Sequence, residues 1–286
     1  MEAHEQLKPA FDLWNLIDGV IVINLDTRPD RWERLLSESA GIIPTGKLHR
    51  VPAVPGKSIP GYGEKPWFRG KARDSTWAGR GGCALAHRRA LIYARDSDWE
   101  RVLILEDDIT FDQVFPQLTA ALGKSLAEND WNVCYLGYTD PSPPYQKICG
   151  IGTSHSLVRV FGCNCAHAYL LDSGAREWIL ANLADQSNIW KWLSRNRAVD
   201  RWYLRTLGQR FRVLAVSPSL VNQIAGFSDI VSRETDYFGN KSHITSLGTN
   251  LPETHSPTAY WLKRIRNSID ASWDRIRGLA KSLRGF

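Results

Sequence analysis

The sequence predicts an α/β protein whose central sheet is mostly parallel and is flanked by helices. Three observations carry this. Residues 19–25 (Gly-Val-Ile-Val-Ile-Asn-Leu) and 102–105 (Val-Leu-Ile-Leu) are short runs of β-branched residues and leucine, the pattern of strands buried on both faces. Stretches of helical period lie between such runs, so strands and helices alternate. The second run ends directly in three carboxylates, Glu106-Asp107-Asp108, at the place where a parallel strand runs out into a ligand crevice.

In chain order, residues 1–10 are polar and without period. The first strand leads into Asp26-Thr27-Arg28-Pro29-Asp30-Arg31, where Pro29 suits the first turn of a helix ending at Ser39. Such a turn aims Arg28 and Arg31 at the same sheet edge as the acids, a grouping suited to bidentate phosphate or nucleobase contacts. The plainer reading of either arginine is a solvated helix face. Residues 49–54 form a second strand. Residues 55–80 mix Gly, Pro and basic residues with Trp67, Phe68 and Trp77 and predict a long loop that packs as a lid. Residues 81–93 read as a helix entered through Gly81-Gly82, with Leu85 and Ile92 on its buried face. His87 on that helix either faces the cleft or simply packs. After the acidic strand come a helix over 111–122, a strand over 131–136 and a Pro/Gly/Ser-rich loop over 137–156. Strand-like sequence over 158–171 is followed by a helix from Asp172 to about Leu183. A helix over 198–207 has Asp200 in its first turn, and a strand over 211–216 precedes an irregular run over 218–230.

The chain of 286 residues is long enough for one large domain or two small ones. The expected division is an extension over 1–18, a main domain over 19–245, and a linker with a basic helical tail over 246–286. No segment has the basic and apolar regions of a signal peptide, and no apolar run approaches the ~18 residues that span a bilayer. A cytoplasmic protein with five reduced cysteines is therefore expected. Cys163-Asn164-Cys165-Ala166-His167 invites a zinc reading, but its spacing fits no common zinc pattern and a strand face of small residues accounts for it better. Twelve tryptophans suit either sugar platforms or a core filled with large rings, and the core accounts for most of them. The net charge of +6 is concentrated in residues 260–286, which carry seven basic residues against Asp270 and Asp274. The rest is close to neutral, and no nucleic-acid partner is expected.

Three adjacent carboxylates repel one another and are most easily kept together by a bound cation. Hard Mg²⁺ or Mn²⁺ takes oxygen ligands and commonly bridges a carboxylate to a substrate phosphate. The bland alternative is a solvated strand end in which Asp107 or Asp108 caps the next helix.

Taken together, these stretches resemble the family 25 glycosyltransferases, which include lipopolysaccharide-modifying sugar transferases and collagen galactosyltransferases. The resemblance runs through Ile23-Asn24-Leu25 with Arg28 and Arg31, Gly82-Cys83-Ala84-Leu85-Ala86-His87, Leu105-Glu106-Asp107-Asp108, Tyr169 with Gly174-Ala175, Val199-Asp200, the segment 218–223, and Ser228-Asp229-Ile230. It covers about residues 20–230. Ala86 stands where the family usually has Ser, and Asp172-Ser173 replaces a longer turn. The resemblance implies a GT-A-like, Rossmann-like fold and inverting transfer of a sugar, commonly galactose, from a UDP-sugar. The acceptor would be a hydroxyl of a glycan or glycolipid such as lipopolysaccharide or another cell-surface glycan. Glu106 and Asp108 then resemble the acids of a DXD-type motif holding Mn²⁺ or Mg²⁺, and Asp107 orients the site or touches the ribose. Asn24, Arg28, Arg31 and His87 become donor-site residues. Inversion needs a base opposite the leaving group, and motif position offers Asp200 first and Asp229 second. The competing class is a non-catalytic nucleotide-sugar- or glycan-binding protein on the same fold, against which the intact acidic triplet speaks. A nucleotidyltransferase would also use acids and Mg²⁺, but the sequence shows no glycine- and lysine-rich triphosphate loop.

In the tail, Trp261, Leu262, Ile265, Ile269, Trp273, Ile276, Leu279 and Leu283 recur at three- and four-residue intervals. This predicts an amphipathic helix that either lies on an anionic membrane, peripheral at the inner face, or docks on protein.

Overall fold

The structure is a computed structural model and describes residues 11–70, 73–228, 233–235 and 251–283. Eight strands build one sheet: β1 Gly19–Asn24, β2 Leu48–Pro52, β3 Arg101–Glu106, β4 Val133–Gly137, β5 Gln146–Ile151, β6 His155–Arg159, β7 Ala168–Asp172 and β8 Val213–Ser217. Their spatial order is β2-β1-β3-β7-β4-β8-β6-β5. β1 is parallel to β2 and β3, and β8 is parallel to β4, while β7 and β6 run against their neighbours. The α/β sheet expected from the sequence is present, with six strands pointing one way and two the other.

The helices are α1 Leu13–Leu16, α2 Pro29–Ser39, α3 Arg73–Asp96, α4 Phe115–Ala127, α5 Ser173–Asn182, α6 Ile189–Asn196, α7 Val199–Arg210 and α8 Pro257–Leu283. Successive strand residues point to opposite faces, and both faces are covered. Val20, Val22, Leu103 and Leu105 pack with Leu13 of α1, Leu35 of α2 and Phe115 and Leu122 of α4. Ile21, Ile23, Val102 and Ile104 pack on the other side with Leu91 of α3, Ile179 of α5, Leu193 of α6 and Tyr203 of α7. This double burial is why β1 and β3 read as continuous apolar runs. Most tryptophans serve these layers too: Trp178 stacks on Trp202 with ring centroids 5.6 Å apart, and Trp190 packs against Phe68.

Several boundaries differ from the sequence reading. The helix expected at 81–93 begins at Arg73, so Gly79, Gly81 and Gly82 lie inside it. Glycine is unfavourable in a helix interior, but a Cβ on Gly82 would stand 2.3 Å from the Val54 carbonyl oxygen, so the backbone of 54–56 can approach only a bare helix face. Residues 55–70 are correspondingly less of a lid than expected: they hold a 3-10 turn at Gly56–Ser58, and Phe68 is buried in the core. The helix expected from residue 111 starts at Phe115, because Ile109–Phe111 pairs antiparallel with Val221–Gln223. Asp112, not Asp107 or Asp108, receives the entering backbone, its carboxylate accepting from Val114 N at 3.0 Å. The Pro/Gly/Ser-rich loop contains β5, and the single strand expected over 158–171 is split into β6, an irregular stretch and β7. Gly152, with φ of +59°, makes the β5–β6 turn, and Cys165, at φ +54°, interrupts the strand alternation before β7. Helix α6 was not anticipated.

Candidate active site

The parallel register of β1 and β3 sets Ile23 opposite Glu106. Both strands therefore end together, and the next residues meet: Asn24 Nδ2 donates to Asp107 Oδ2 at 2.7 Å. Asn24 also donates to the Arg28 carbonyl and accepts from Arg50 Nε at 2.8 Å, so its fully buried amide ties β1, β2 and β3 into one edge. Helix α2 brings arginines across that edge. Arg31 lies 3.0 Å from Asp107 Oδ1 and 3.5 Å from Asp108 Oδ2, and Arg34 donates to the Asp107 carbonyl at 2.9 Å. From α3, His87 places Nε2 3.3 Å from Glu106 Oε1, with Nδ1 2.8 Å from the Tyr169 hydroxyl. Gln223, held by the Val221–Gln223 ribbon, points its amide nitrogen at Glu106 Oε2 (3.2 Å) and Asp108 Oδ1 (3.5 Å).

Six of these residues reach one wall of a cavity of about 370 Å³. Arg31, His87, Glu106, Asp107, Asp108 and Gln223 line it together with Thr27, Cys83 and Lys57. The electrostatics favour a cation. Burial, then the charges of Glu106 and Asp107, push the Asp108 carboxyl up from its ordinary 3.8 to about 7, against the opposing pull of Arg31 and Gln223. Gln223 Oε1 is buried without a partner. Two carboxylates converging on one amide N–H beside an orphaned amide oxygen make an all-oxygen donor set, which fits Mn²⁺ or Mg²⁺. Among the described residues, Cys83, His87 and Glu106 also bring ligand atoms within 4.8 Å of one another. Burial and the field of Glu106 push the Cys83 thiol well up, so it stands there as a neutral thiol and a poor ligand.

Of the residues singled out from the sequence, Asn24, Arg31, His87, Glu106, Asp107 and Asp108 are brought together. Neither Asn24 nor Arg28 is on the cavity wall, and the Arg28 guanidinium forks onto exposed Asp30. Asp200, in the first turn of α7, is half-buried and does not line the cavity, accepting from Arg201 N at 2.7 Å and Cys165 N at 3.4 Å, with Arg80 in its field. Asp229 lies outside the described residues. Of the zinc-like triplet, Cys163 is buried in the small Gly162–Cys163 strand and His167 Nε2 faces the Val221 carbonyl at 3.1 Å; among the described residues they join no ligand cluster. Sequence reasoning did not single out Arg34, Arg50 or Gln223 as site residues, although Gln223 ends the motif over 218–223. Arg34 had a signal, since it sits one turn beyond Arg31 on the same helix face.

The cleft lies outside the carboxyl ends of β1 and β3, the place where open α/β sheets bind their ligands. Residues 17–140, which hold every wall residue but Gln223, match the model described as glycosyltransferase family 25 (LPS biosynthesis protein). The chain is 31% identical over 137 residues to a glycosyltransferase 25 family member of Drosophila pseudoobscura pseudoobscura, covering 42% of this chain and 20% of that protein. It is 29% identical over 138 residues to procollagen galactosyltransferase 2 of Homo sapiens, with 42% and 20% covered. The match thus spans about a fifth of the length of these curated relatives. A solved glycosyltransferase involved in glycosylation of the major capsid of PBCV-1 superposes with a TM-score of 0.38 at 10% identity, covering 74% of this chain and 94% of that one. The family 25 resemblance is borne out over residues 17–140. The later motifs, from Tyr169 onward, lie beyond that segment.

Proposed function

We propose that the cleft transfers a sugar, with inversion, from a UDP-sugar to a hydroxyl of a glycan or glycolipid acceptor, with UDP-galactose the first donor to try. The observation that carries this reading is the convergence of Glu106, Asp108 and Gln223 with Arg31 and His87 in one cavity, inside the family 25 segment. Glu106 and Asp108 would hold Mn²⁺ or Mg²⁺, which supplies charge neutralisation for the departing diphosphate. Asp107 has one oxygen taken by Asn24 and the other by Arg31, so it is a positioning residue that holds these two donors at the cleft. Lys57, exposed at the rim, adds positive charge where phosphates would enter. In the reaction the acceptor oxygen bonds to the anomeric carbon, the bond from that carbon to the β-phosphate oxygen breaks, UDP leaves with its electron pair, and the acceptor proton passes to a base. Motif position alone nominates Asp200, in the first turn of α7 and off the cavity lining, for that base. The setting expected for the reaction is the cytoplasm.

The test is UDP release by the purified protein across a panel of UDP-sugars, with Mn²⁺ or EDTA and a glycolipid extract as acceptor. Metal-dependent release from one donor, reduced at least about 100-fold by Asp108→Asn, is expected. Absence of release from every donor overturns the reading.

A further inference from the structure

Amphipathic helices usually dock by their apolar side; α8 does the reverse. Its contact with α6 and α7 is made by the polar side. Asn267 and Asp274 are buried there, at 4% and 6% exposure. Asp274 pairs with Arg205 and lies 3.7 Å from Arg197, and the Tyr260 hydroxyl donates to the Gly208 carbonyl. Gly278 lets the helix close on α6, since a Cβ there would stand 2.6 Å from Arg195 Cγ. The opposite side faces outward. Trp261, Ile265, Ile269, Trp273, Ile276 and Leu279 are all exposed, the two tryptophans by 61% and 58%. Together with Leu262 and Leu283 they make a continuous apolar stripe along the 27 residues of α8, roughly 40 Å long.

The borders of the stripe say what covers it. Arg264 and Arg275 lie about three turns apart along one border, and Arg266 and Arg277 lie likewise along the other. All four are exposed, and the acid facing outward near them is Asp270. A second copy laid on this stripe would bring these arginine borders together with little acid to pair them, which opposes association. Phosphate headgroups complement both borders, the apolar stripe fits the acyl boundary, and the two tryptophans suit the interface between them. Among the described residues no helix is long and apolar enough to cross a membrane, so the contact is a surface one. We infer that the outward face of α8 docks on an anionic lipid bilayer, lying in the plane of its headgroups. The inference is independent of the sugar-transfer reading.

The test is flotation of the full chain with vesicles of phosphatidylcholine alone or with roughly 30% phosphatidylglycerol. Ile269→Asp and Arg264→Gln/Arg275→Gln change only exposed positions, and circular dichroism should show both variants folded. The wild type should float with the anionic vesicles. Ile269→Asp should lower partitioning at least about ten-fold, and each arginine removed should lower it about five-fold on anionic vesicles only. The proposal is overturned if the wild type stays with the soluble fraction, or if Ile269→Asp floats equally well. A particle of twice the 32.3 kDa chain mass that Ile269→Asp makes monomeric would assign the face to a second copy and overturn it as well.

Discussion

Asp108 is kept in the cleft at a cost to the metal-free fold. Its carboxyl is raised to about 7 because burial and two neighbouring acids disfavour its charge. An acid raised in the folded state keeps its proton after the unfolded chain has lost it. The resulting stability is complete below about pH 4 and is lost as pH rises through 7. In EDTA, Asp108→Asn should therefore be more stable than wild type by ~1–3 kcal/mol at pH 8 and nearly equal to it at pH 4. Urea titrations at the two pH values measure this, and a variant less stable at pH 8 would contradict it. Mn²⁺ should raise the Tm of the wild type and not of the variant, since only the intact acid pair binds it. The acids were legible because all three are adjacent in sequence at the end of an apolar run. Gln223 was not, because it reaches Glu106 only through pairing of Val221–Gln223 with Ile109–Phe111, more than a hundred residues earlier, and no local pattern records that register.

Among the elements, α3 shows how a functional wall can hide in an apparently irregular sequence. Its glycines weaken the helical period, so the first turns read as loop, yet one of them, Gly82, is what lets α3 lie against 54–56 and form the cavity wall. Tertiary approach, rather than propensity, decides the boundary. Gly82→Ala would drive a methyl group against the Val54 carbonyl and displace the stretch from Val54 to Gly56 that lines the cleft. The expected result is a loss of ~1–3 kcal/mol in thermal unfolding, with donor KM raised more than kcat is lowered. Wild-type stability and KM in this variant would mean that the wall yields without resistance. Where the local signals were strong, the elements matched: Pro29 opens α2, and Asp172 caps α5 by accepting from Ala175 N at 2.7 Å.

Over the whole molecule, the buried faces of the sheet were legible and the directions of its strands were not. A run such as Ala168–Asp172 is apolar whichever way it points, and only its pairing with β3 and β4 makes it antiparallel. The same holds for α8, whose amphipathic period was plain while the side that docks was not. Period alone assigns Asp274 to solvent, whereas the fold buries it among Arg205, Arg197 and Arg277. That cluster attaches the tail to the body, and cutting it separates attachment from lipid binding. Asp274→Ala leaves Arg205, only 16% exposed, without its counter-charge, which should cost ~2–3 kcal/mol. Because the lost contact is specific to α8, trypsin should cleave within residues 263–277 sooner than in wild type while the α/β body persists. Cleavage at the wild-type rate would show that Tyr260, Asn267 and the Gly278 contact hold the helix without the ion cluster. The apolar stripe is untouched by this change, so the variant should still float with anionic vesicles, its helix bound and its body loosely tethered.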